Sequence, residues 1–181
     1  KADPADMTSR DSFLTVTFAW IIIAHFGSLP YIMSKSIPSV VNAIFESASG
    51  FTTTGASILT DVDILPWSIL FWRSLTHWIG GFGIVLLVIL ILPSLRVSGY
   101  QMFSLESSLK EKIHPKTKGI TLRIMMIYTG LTVLEIILLS IGDMNLFDSV
   151  CHSFATIATG GFSTKNSSIG YFSTYSQYIV M

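Results

Sequence analysis

Gly50 to Ser57, Gly-Phe-Thr-Thr-Thr-Gly-Ala-Ser, is a stretch whose chemistry lies in its backbone. Its threonines are β-branched and its glycines have no helical preference, so it makes a poor helix, and nothing in it alternates as a half-buried strand would. What such a run offers is a row of peptide carbonyls, oxygen ligands that can stand in for a cation's hydration shell. About 106 residues later, Ala158 to Ser163 reads Ala-Thr-Gly-Gly-Phe-Ser, with Thr159, Gly161 and Ser163 in the places of Thr53, Gly55 and Ser57. The chain contains the same unit twice.

A few ionisable side chains stand in otherwise apolar sequence. Arg73 and His77 are one helical turn apart, Glu46 precedes the first Gly-Thr stretch, and Glu135 lies deep in an apolar run. Charged groups in such settings need partners. Arg73 is read as support, bound to carbonyls at the end of a short helix or paired with Glu46, and Glu135 as partnered by His77 or by loop backbone. His25 and His152 have no cysteine or acidic residue at ligand spacing, so no transition-metal site is expected. Cys151, the single cysteine, is read as a buried small hydrophobe. With no nucleophile motif, phosphate loop or metal cluster, the chain is not expected to be an enzyme.

The elements that hold these residues are set by hydropathy. Half the residues are apolar and 12% are charged, with zero formal net charge and a mean hydropathy of +0.62, so the chain is expected to be an all-α membrane protein. No cleavable signal peptide is evident in Lys1 to Asp11, and the chain reads as one that begins partway through a longer protein. Residues 13–33 are long enough to span as a first outer helix. Residues 39–48 are too short to span and form a re-entrant pore helix, started by Pro38. The Gly-Thr stretch 50–57 follows, Asp61, Asp63 and Pro66 return the chain to water, and an inner helix spans 67–92. A loop covers 96–118. The second unit has an outer helix 119–141, a pore helix 146–156, an extended stretch 157–163 and the start of an inner helix at 171–181. The units are thus 1–95 and an incomplete 119–181. Gly80, Gly81 and Gly83 are read as close-packing positions, and Leu105 to Ile113 as a modestly amphipathic segment at the inner surface.

Lys1, Arg10, Arg96, Lys110, Lys112, Lys116, Lys118 and Arg123 gather at the N-terminal segment and the central loop, which places those ends in the cytoplasm. The Gly-Thr stretches then open outward, with Asp61, Asp63 and Asp143 near the mouth to concentrate cations. The negative ends of the short helices, at Ala48 and near Thr156, would face the same cavity.

Irregular backbone at membrane depth is tolerated only when buried in protein or lining a watery cavity. Against the potassium-channel filter Thr-Val-Gly-Tyr-Gly, the first stretch supplies Thr53, Thr54, Gly55, Ala56 and Ser57, and the second Thr159, Gly160, Gly161, Phe162 and Ser163. Only Thr and the central Gly match in both.

The runs Phe45 to Ser57, Arg73 to Gly83 and His152 to Ser163 closely resemble the Trk/Ktr/HKT superfamily of potassium transporters, and within it the bacterial Trk-type membrane subunit. The resemblance implies four helix-loop-helix repeats of potassium-channel type around one ion path, of which this chain would carry the first and most of the second. It implies potassium as the transported ion, coordinated by backbone at Thr53, Thr54, Gly55 and Ala56 and at Thr159, Gly160, Gly161 and Phe162, with Glu46, Arg73, His77 and Glu135 as support. A homodimer in the cell inner membrane and a cytosolic nucleotide-binding partner of the RCK type are likewise implied. Neither an organic cofactor nor a nucleic-acid partner is expected. The rival readings are an alternating-access cation symporter with broken helices and a non-conducting assembly subunit.

The basic-residue distribution yields a direct test. Reporters fused after Arg96 or Lys112 should read cytoplasmic, and those at Asp63 or Lys165 external. An external signal from the central loop would invert the orientation.

Overall fold

A computed structural model describes residues 9–91 and 113–181. The described residues are helical with extended connections and contain no β-strand: α1 (Ser9–Gly27), α2 (Leu29–Met33), α3 (Val40–Phe51), α4 (Trp67–Ile91), α5 (Ile113–Ile141), α6 (Leu146–Ile157), a 3-10 turn (Ser168–Tyr171) and α7 (Thr174–Val180). Three stretches are long and apolar enough to cross a membrane, Phe13–Met33, Trp67–Leu87 and Gly119–Ile141. Helices α3 and α6 have 12 residues each, about 18 Å at 1.5 Å per residue, so neither crosses. The architecture is a tandem of spanning helix, re-entrant helix, extended segment and spanning helix.

The two re-entrant helices begin alike. Ser39, in extended conformation, caps α3 by accepting from the Asn42 amide, and Asn145 caps α6 by accepting from the Asp148 amide. An amide otherwise left unpaired at each helix start is thereby satisfied. Each short helix then lies in the angle between spanning helices: α3 packs on α1 and α4, and α6 on α4 and α5. Helix α4 is common to both and joins the units.

Several boundaries differ from those expected. The first outer helix is broken at Ser28, whose hydroxyl donates to the His25 carbonyl at 2.6 Å. Pro30, near the start of α2, lacks the amide that would continue the ladder. The first pore helix runs past Ala48 to Phe51 and takes in Gly50, because a side chain at 50 would strike the Thr76 hydroxyl and bare backbone lets the helix close on α4. The extended segment accordingly starts near Thr52, not Gly50. Helix α6 ends one residue later than expected, at Ile157. The second outer helix begins at Ile113, inside the expected loop. The second inner helix begins at Thr174, after a 3-10 turn and the Ser173 cap. There Asp143 accepts from the Ser173 amide at 2.7 Å and from the Ser173 and Ser176 hydroxyls at 2.6 Å each, and these donors, Ser173 first, hold its carboxyl down at about 2. The expected amphipathic segment 105–113 and most of the central loop lie outside the described residues.

Close approach, not conformational freedom, explains Gly80 and Gly81 of α4, whereas Gly83, expected to be a close-packing position too, has room for a side chain. A Cβ on Gly80 would overlap the Phe51 carbonyl, and one on Gly81 would press on Tyr128 and Ala158, whereas Gly83 faces only the Trp20 ring at 3.8 Å. Gly80→Ala should therefore destabilise the protein by about 1–3 kcal/mol, while Gly83→Ala should be neutral or stabilising by roughly 0.5–1 kcal/mol through better helix propensity. Thermal unfolding of the two variants in detergent checks this, and equal effects would remove the packing argument.

Candidate ion-path filter

Both re-entrant helices end in the same way. The Thr53 amide bonds the Gly50 carbonyl and the Thr54 amide the Ser49 carbonyl, each at 3.0 Å; the Thr159 amide bonds the Thr156 carbonyl and the Gly160 amide the Ala155 carbonyl, each at 2.8 Å. This is a Schellman closure, whose penultimate position takes left-handed backbone and is normally glycine. Here it is threonine twice, with φ of 53° at Thr53 and 55° at Thr159. A β-branched residue is strained there, at a cost on the order of 1–3 kcal/mol, and such strain persists where surrounding structure enforces it. Two residues on, Gly55 and Gly161 also have positive φ, 74° and 88°. Each extended segment thus leaves its helix through the same alternating turn of the backbone.

Glu46 and Arg73 tie the first segment down. Glu46 is 0% and Arg73 2% exposed, and Arg73 Nε stands 2.9 Å from Glu46 Oε1. The carboxylate also accepts from the Ser57 hydroxyl at 2.9 Å and the Ile58 amide at 2.9 Å. A buried ion pair is tolerable only when its remaining donors and acceptors are satisfied. The guanidinium completes its set by donating from Nη2 to Ser57 Oγ at 3.3 Å and from Nη1 to the Ser163 carbonyl at 3.2 Å, and its carbon lies 4.2 Å above the Phe162 ring. Arg73 therefore grips both extended segments, and its carbonyl partner belongs to the second segment instead of a helix end.

His77 packs behind the second segment. Its ring stacks on Phe162 with centroids 4.0 Å apart, a Cβ on Gly160 would overlap it, and neither ring nitrogen has a hydrogen-bond partner. The expected pairing of His77 with Glu135 is not formed, because the imidazole is held flat as a wall between Phe162 and Gly160. Glu135, 7% exposed, instead takes a hydrogen bond from the Thr156 side chain near the end of α6. Among the described residues no group of histidine, cysteine and acidic side chains could hold a metal ion.

Sequence reasoning did not assign His152 to the site. Its Nε2 lies 3.0 Å from Ser163 Oγ and its Nδ1 2.8 Å from the Asp148 carbonyl. The signal was available: His152 stands at the repeat offset from Glu46, as Ser163 does from Ser57. Asn166 was missed as well, and Asp61, expected to stand open at the mouth, is its partner. Asn166 donates to Asp61 at 2.7 Å and accepts from the Val62 amide at 2.7 Å, clasping the outer loops of the two units.

Spanning helices around re-entrant helices, each releasing a glycine-bearing extended segment toward a shared centre, define a membrane protein of the pore-repeat class. The chain belongs to the TrkH family of cation transport proteins, whose family model matches residues 1–181. It is 43% identical over 176 residues to the Trk system potassium uptake protein TrkH of Escherichia coli, a match covering 95% of this chain and 36% of that protein. To the Trk system potassium uptake protein TrkI of Halomonas elongata it is 36% identical over 179 residues, covering 98% and 36%. The crystal structure of the potassium transporter TrkH from Vibrio parahaemolyticus superposes with a TM-score of 0.85 at 37% identity, over 99% of this chain and 36% of that one. The chain thus spans little more than a third of these relatives, which are named as uptake proteins and not as enzymes.

The Glu46–Arg73 pair generates a stability prediction. Glu46→Ala should cost about 3–5 kcal/mol by leaving the guanidinium buried and unpaired, and adding Arg73→Met should recover part of that loss. Unfolding of the two single variants and the double variant measures the coupling; additive effects would mean that the pair does not act as a unit.

Proposed function

We propose that this chain contributes two of four backbone filter strands to a potassium uptake path in the cell membrane. The observation that carries the proposal is the duplicated geometry, positive φ at Thr53 and Gly55 and again at Thr159 and Gly161, on segments that leave re-entrant helices at membrane depth. Backbone there must be buried or line a watery path, and alternating turns of this kind free successive carbonyls to face one side. Potassium is then held by the backbone of Thr53, Thr54, Gly55 and Ala56 and of Thr159, Gly160, Gly161 and Phe162. Thr53 and Thr159 sit at the inner ends of the strands, and Glu46, Arg73, His77 and Glu135 support them from behind.

The ion comes from the names of the relatives, the Trk system potassium uptake proteins. The filter mouths face outward in this reading, with the protein as a homodimer in the inner membrane, regulated by a cytosolic nucleotide-binding ring of RCK type. These features rest on the family resemblance and on the basic residues of the central loop.

Gly55 and Gly161 test the filter. A Cβ at Gly55 would collide with the Gly160 carbonyl of the neighbouring segment, whereas at Gly161 the space is open and only the positive φ resists a side chain. Both Gly55→Ser and Gly161→Ser should lower the preference for potassium over sodium, by roughly 5- to 150-fold if ~1–3 kcal/mol of strain is released by turning a carbonyl away. The Gly55 variant should be the more severe. Ion flux through the complete transporter at matched expression reads the effect, and unchanged preference in both variants would mean that these segments are not the filter.

A further inference from the structure

The second extended segment has no carboxylate in the place that Glu46 takes behind the first. At the offset of Glu46 stands His152, at that of Ser57 stands Ser163, and at that of Arg73 stands Ile179. We infer that His152 is the positioning residue of the second filter strand, a neutral counterpart of Glu46 that fixes the strand's outer end through the Ser163 hydroxyl; this rests on the filter reading above.

The hydrogen bonds decide the tautomer. A carbonyl oxygen only accepts, so Nδ1, 2.8 Å from the Asp148 carbonyl, carries the ring proton, and Nε2 is left with its lone pair. The Ser163 hydroxyl then donates to Nε2 across 3.0 Å. That direction leaves Ser163 Oγ free to accept from the Lys165 amide at 3.0 Å, as Ser57 Oγ accepts from the Leu59 amide at 3.1 Å. Each serine thus donates to a buried group on its own pore helix and accepts from the amide two residues ahead. The Phe172 ring meets the imidazole edge-on, with centroids 5.0 Å apart, and holds its orientation.

Charge accounts for the change of residue type. Arg73 gives Nε to Glu46 and Nη1 to the Ser163 carbonyl, and the second unit has no arginine at the corresponding place. A carboxylate at 152 would be buried without a cation of its own, a costly arrangement. The nearest acid, Asp148, is already committed, accepting from Thr164 at 2.6 Å and from Asn145 at 2.9 Å. A neutral imidazole supplies the acceptor without the charge.

Two conservative replacements separate anchoring from ordinary packing. Gln places an amide oxygen near the position of Nε2 and can take the Ser163 proton, while Asn reaches only the position of Nδ1. In the complete transporter, His152→Ala should lower potassium preference over sodium about three- to tenfold, the span of one lost buried hydrogen bond. His152→Gln should restore most of it and His152→Asn should not. Ser163→Ala should give the same loss, and combining it with His152→Ala should add nothing further. Rescue by Asn instead of Gln, or additive losses in the double variant, would overturn the inference. If the His152 variants fail to reach the membrane, Ser163→Ala alone decides, since unchanged selectivity there refutes the anchor. Gly55→Ser and Gly161→Ser run in parallel keep the two claims apart: no effect in either variant fails the filter reading, whereas an effect there beside normal Ser163→Ala behaviour fails only the anchor.

Discussion

Backbone that leaves a helix inside a membrane must have its polar groups satisfied, and the structure is organised around two places where this happens. At the ends of α3 and α6 the chain turns through left-handed threonines, Thr53 and Thr159. The helix-end carbonyls are closed by the amides of the next residues. Beyond those turns neither helix nor sheet supplies partners, so the extended segments depend on side chains reaching in from elsewhere.

Arg73 is the principal such side chain. It sits on α4, the helix common to both units, and reaches Glu46 and Ser57 of the first and Ser163 of the second. Its burial would be prohibitive without Glu46, and Glu46 would be equally untenable without Arg73. The pair therefore fixes the two segments relative to each other while adding no net charge near the proposed ion path. Phe162 and His77 complete the support by stacking, which fills space without drawing on the carbonyls.

The same backbone plan is built with different chemistry in each half. Ser39 and Asn145 cap the short helices, and Glu46 and His152 meet the serines that follow Gly55 and Gly161. The duplication preserves hydrogen-bond geometry more strictly than residue type. What a position must supply is an acceptor at the right place, and carboxylate or imidazole can supply it according to the cation at hand.

Three membrane-crossing stretches, two short re-entrant helices and two Gly-Thr segments were legible in the sequence, because hydropathy and residue spacing are local properties that lipid enforces strongly. The left-handed threonines were not, since local preference argues against them and only closure of the helix ends demands them. Gly50 was read as a helix breaker and lies within α3, because the contact with Thr76 of α4 outweighs its poor propensity. The reach of Arg73 across 90 residues to Ser163, the isolation of His77 from Glu135 and the pairing of His152 with Ser163 belong to tertiary structure alone. The sequence by itself determined which stretches are long and apolar enough to cross a membrane and which are too short, for that depends on the transfer of each stretch from water. Which buried donor meets which acceptor was decided only by the packing of α3 and α6 against α4, for partners far apart in the chain leave no local pattern.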